Sequence, residues 1–82
     1  MNERQALMKL IAIDTEPGPW SQAEFDENTK QRREALTLLM RSNDPLLNEV
    51  AVAASRKRSV WLQSPVGESA EEWLRNQQRE RN

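Results

Sequence analysis

Apolar residues recur along this chain at three- and four-residue intervals, and no run alternates as a half-buried strand would. That period predicts four helices, roughly Glu3–Ile13, Gln22–Arg41, Pro45–Leu62 and Ala70–Arg79, with a frayed tail over 80–82. Residue chemistry marks the breaks between them. The stretch TEPGP, Thr15–Pro19, cannot continue a helix, because its two prolines lack the amide hydrogen that the helical ladder needs. Ser21 and Glu24 then have capping-box spacing, with Trp20 and Phe25 in the flanking staple positions. Asp44 before Pro45 reads as an N-cap followed by proline at the first helical position. Pro65 and Gly67 mark the third break, after which Ser69 and Glu72 repeat the capping-box spacing.

Helical spacing also assigns faces. Leu7, Leu10 and Ile11 form the stripe of the first helix, leaving Met8 and Ile13 off it. In the second, Phe25, Leu36, Leu39 and Met40 align, interrupted by Thr29 and Arg32, while Leu38 falls on the back. The third helix is the most apolar. Leu46, Leu47, Val50, Ala51, Ala54, Trp61 and Leu62 share a broad face widened by Ala53 and Val60, and Val52 points outward. It is expected at the centre, touched by the other three. The fourth offers Ala70, Trp73 and Leu74 as a lid. The short connection around Asn43 folds the second and third helices into an antiparallel hairpin, bringing Met40 near Leu47 and Arg32 near Ala54. Arg32 is then expected to pair with Glu72 or Asp14, or else to open toward a partner helix. Trp20, Phe25, Trp61 and Trp73 are expected to cluster at one pole. The fold class is therefore all-α: a single compact four-helix domain, built on an antiparallel hairpin, with a short C-terminal helix.

Composition narrows the functional classes. At 82 residues there is room for one core, and a hydrophobic fraction of 37% makes that core thin, a situation in which small domains recruit partners. Twelve cations against 13 anions leave a net charge of -1, unlike a general polyanion binder. No apolar run is long enough to span a bilayer, and the amino terminus lacks the pattern of a signal peptide, so a soluble cytoplasmic protein is expected. Cysteine, histidine and tyrosine are all absent. That removes disulfides, thiolate and imidazole metal ligands, and the commonest nucleophile and base. The acidic groups Glu24/Asp26/Glu27 and Glu68/Glu71/Glu72 begin helices, where the dipole favours carboxylates without any metal. Ser55 and Ser59 near Lys57 lack a second base or an oxyanion turn, and two glycines make no phosphate loop. No catalytic residue, metal site or cofactor is expected.

What remains is the stretch SRKRSVWLQ, Ser55–Gln63, where three cations run into valine and tryptophan. Arg56 falls opposite the apolar face, flanked by Lys57 and Arg58, near a helix C-terminus where cations complement the dipole. Aromatic and arginine side chains dominate binding hot spots. The expectation is therefore a non-enzymatic protein-binding module, an adaptor, inhibitor or assembly factor, using Trp61, Arg58, Lys57, Arg56, Trp73 and Leu38. Leu38 or the first helix offers a surface for a homo-dimer. The alternative is a nucleic-acid-associated protein using Arg56, Lys57, Arg58, Arg32 and Arg33, although the spacing expected of a helix-turn-helix is missing around Asn43. Length and charge mix are of the type met in small accessory proteins of bacteria and their phages or plasmids.

Overall fold

A computed structural model describes residues 1–16 and 18–80, residues 78–80 by backbone alone. The described residues form four α-helices and one 3-10 turn: α1 Glu3–Thr15, α2 Gln22–Met40, α3 Pro45–Arg56, the turn Ser59–Gln63, and α4 Pro65–Glu80. No strand occurs among them. None of these helices is long and apolar enough to cross a membrane. The expected fraying over 80–82 falls mostly on Arg81 and Asn82, which lie outside the described residues, as does Pro17 in the first turn.

Each of the first three helices begins where a side-chain oxygen meets the free amides of its first turn. Asn2 caps α1 through the Gln5 amide at 2.8 Å, and the Gln5 side chain returns the bond to the Asn2 amide at 3.0 Å. Ser21 and Glu24 make the same reciprocal pair at the start of α2, as their spacing predicts. Asp44 accepts from the Leu46 amide at 2.9 Å with Pro45 in the first turn, also as predicted.

The helices run up, down, up, down. Glu3 near the start of α1 accepts a hydrogen bond from Ser42 after the end of α2, and Asp14 near the end of α1 pairs with Arg32 of α2. α1 packs chiefly on α2, α2 on α3, and α3 on α4, while the 3-10 turn touches α1, α3 and α4. The core holds Leu7, Leu10, Leu39, Leu47, Val50 and Trp61, with alanines between them. The Asn48 side-chain amide locks the hairpin by donating to the carbonyls of Leu39, Met40 and Ser42. These carbonyls lie at and just past the C-terminal end of α2, where the helical ladder runs out of amides; the Leu39 carbonyl also accepts the Ser42 amide at 3.2 Å.

Several expectations give way to packing. The third helix stops at Arg56 and not at Leu62, and α4 begins at Pro65 and not at Ala70. Ser69 and Glu72 are therefore interior residues of α4 and do not cap it; Pro65 opens it, after Ser64. The early stop turns Trp61 inward onto Asp14, and it lets Gly67 press against the carbonyls of Trp61 and Leu62, where any Cβ would clash. α3 is flanked by α2 and α4, and the 3-10 turn provides much of the remaining contact with α1. Ile13 is buried, off the predicted stripe though it is, because the turn covers the last coil of α1. Conversely Phe25, Met40 and Val60 are exposed. Phe25 and Met40 lie near the two ends of α2, where the helix leaves the bundle's middle. Val60 sits on the outer side of the 3-10 turn.

Candidate functional site

The most buried polar group gathers four chain segments at one pole. Asp14, in the last turn of α1, receives Arg32 Nε at 2.8 Å and Arg32 Nη2 at 3.1 Å, a bidentate pair. Trp61 Nε1 donates to the same carboxylate at 2.7 Å, and Arg32 Nη2 also reaches the Ala54 carbonyl at 2.7 Å. The Asp14 side chain is 1% exposed and Arg32's 13%. Each charge has its opposite beside it, and both carboxylate oxygens are occupied, which is the condition for keeping ions out of water. Of the two carboxylates expected for Arg32, Asp14 is the one it meets. The cluster is closed by the protein itself. Arg32 is engaged here and is no phosphate contact, and Trp61, 1% exposed, is no surface anchor.

Trp73 lies at the opposite pole, which corrects the expected aromatic cluster. Its Nε1 donates to Asp44 Oδ2 at 2.9 Å while Oδ1 caps α3, so one aspartate starts a helix and fastens α4 across it. The antiparallel course of α4 carries Trp73 away from Trp61. Arg33 lines a different recess from the basic run, a shallow one shared with Leu38 and Arg41 on α2. Leu38 itself is half-buried and packs on the core, so it offers less surface than its place on the back of α2 predicts.

Two concave surfaces remain near the Asp14 pole. The first is a cavity of ≈ 490 Å³ walled by Ile13, Trp20, Phe25, Arg58 and Ser59, with Asp14 at its inner edge. The Trp20 and Phe25 rings stand 6.5 Å apart and tilted by 47°, held by the staple around the Ser21 cap. Phe25 is 45% exposed. The Trp20 indole N–H is buried and has no acceptor among the described residues. The second is a groove of ≈ 590 Å³ along the outside of α3, formed by Val52, Ala53, Val60 and Val66, with Trp61 beneath and Arg56 and Lys57 at one end. The three cations thus separate: Arg56 and Lys57 border the groove, and Arg58 borders the cavity.

Sequence reasoning misses Phe25 as a surface residue because it draws the ring, with Trp20, into the pole cluster. Their capping-box flanks are the available signal, since a staple pair satisfies itself at a helix end and does not need the core. Among the described residues no three metal-ligating side chains converge. No known family model matches the chain, and no curated protein or solved structure matches it significantly.

Proposed function

We propose that the protein is a non-enzymatic protein-binding module, acting as an adaptor, inhibitor or assembly factor through the cavity of Trp20, Phe25 and Arg58. One observation carries the reading: the exposed Phe25 ring, braced by the half-buried Trp20, stands beside the exposed Arg58 at the mouth of one cavity. These are the side-chain types that concentrate binding energy, because they combine large apolar area with directional donors. A partner that lays an apolar side chain on Phe25 and offers a carboxylate to Arg58 uses both properties. The reading is non-enzymatic because the chain has no histidine or cysteine, the commonest base and nucleophile side chains.

Affinity capture from the native host tests it, with wild type compared to Phe25→Ala and Arg58→Glu. A single protein retained by wild type and lost by both variants is the expected result. Capture unchanged by either variant removes the cavity from the interface. If wild type instead retains DNA or RNA, with affinity falling steeply with salt and a slope flattened by Arg56→Ala, Lys57→Ala and Arg58→Ala, the nucleic-acid alternative replaces this one.

A further inference from the structure

The groove along α3 lies on a different face from the Trp20 cavity and has its own pattern. Leu47, Val50, Ala51 and Ala54 turn into the core, so Glu49, Val52, Ala53 and Arg56 share the outward side. Val52 is 39% exposed and Val60, just beyond the helix end, 63%. Glu49 and Arg56 form no ion pair among the described residues, where Arg32–Asp14 is the one such contact. Seven residues apart, they stand about 10.5 Å from each other along the helix axis, too far to pair within one copy.

We propose that the occupant of this groove is a second copy of the chain, packed through α3 against α3 in antiparallel orientation. Glu49 and Arg56 lie three residues either side of the Val52–Ala53 pair. A two-fold axis passing opposite that pair therefore sets Glu49 of each copy against Arg56 of the other, and Val52 against Ala53. An isologous contact requires such self-complementarity, since the same patch faces itself. Charge decides between occupants. A uniformly acidic helix entering the groove meets Glu49 at one end, and a basic one meets Arg56 and Lys57 at the other. An antiparallel copy of α3 carries the opposite sign at both ends. Ala53 is small enough for the two helix axes to approach closely, and Val60 extends the apolar strip toward Pro45 of the second copy. Such a dimer presents two Trp20–Phe25–Arg58 cavities at once, which raises avidity for a partner with repeated sites.

Sedimentation equilibrium of the full chain over a dilution series tests the proposal. Wild type is expected to shift from dimer to monomer mass on dilution. Glu49→Arg and Arg56→Glu each place like charges opposite one another twice per dimer, and each is expected to weaken pairing by about tenfold or more. Mixing the two variants sets the paired arginines of one copy against the paired glutamates of the other, and dimer mass is expected to return. That return also shows both variants are folded. Monomer mass for wild type at about 1 mM, undiminished dimer in the single variants, or a mixture that stays monomeric each overturns the proposal. None of these outcomes alters the capture experiment at Phe25 and Arg58, so the two readings stand or fall separately.

Discussion

At one end of the bundle Trp61 donates its indole hydrogen to Asp14 at 2.7 Å; at the other, Trp73 donates to Asp44 at 2.9 Å. The donor and acceptor chemistry is the same. The surroundings differ. Asp14 is sealed from solvent and bound to a guanidinium, with its indole partner in the core. Asp44 and Trp73 are half-buried, and Asp44 also serves a local purpose as the cap of α3. Burial, more than bond length, sets what each contact contributes. Where water can replace a lost partner, a hydrogen bond's net value is small. Where it cannot, the group left behind bears its full desolvation penalty.

The largest expected effect is at the sealed pole. Asp14→Ala leaves a largely enclosed Arg32 charge with only the Ala54 carbonyl as partner, and should cost about 3 kcal/mol in urea denaturation. A double variant, Asp14→Leu with Arg32→Met, removes both charges and is expected to recover much of that loss. If the double variant is as unstable as the single, the ion pair contributes stability beyond mutual compensation, and the contrast between the poles is not one of desolvation.

Next in size is Gly67→Ala. In an ordinary helix interior this exchange stabilises by about 0.5–1 kcal/mol. Here the new methyl group would strike the Leu62 and Trp61 carbonyls, so a loss of about 1–3 kcal/mol is expected. A thermal melt showing a gain would mean that the 3-10 turn yields freely, and with it the seat of Trp61.

The indoles themselves give the most direct comparison. Trp61→Phe leaves a buried Asp14 oxygen without one of its donors and should cost about 1–3 kcal/mol. Trp73→Phe removes a donor from the half-buried Asp44, in a setting where the indole itself is half-buried, and about 0.5–1.5 kcal/mol is expected. Equal losses in the same denaturation series would break the argument from burial.

Local signals explain how much of this is legible in the residues alone. The Ser21 and Asp44 caps, the hairpin, the outward Val52 and Met8, and the approach of Arg32 to Ala54 follow from interactions within a few residues or from folding one short loop. The Asp14 pairing is legible only as one of two choices for Arg32. The Trp20–Phe25 pair is legible as a staple, yet aromatic spacing alone draws it into the expected pole cluster, where Phe25 in fact stays exposed.

Helix number, chain direction at the hairpin and most inward faces were written in the order of residues, because periodicity and capping act over three or four positions. The end of α3, the burial of Trp61 and the pole occupied by Trp73 were settled by contacts across 47 and 29 residues of chain. From Lys57 to Leu62 the apolar spacing suits a continued α-helix and a 3-10 turn alike. The 3-10 turn is the one that seats Trp61 against Asp14, a contact 47 residues away in the chain that no local pattern specifies.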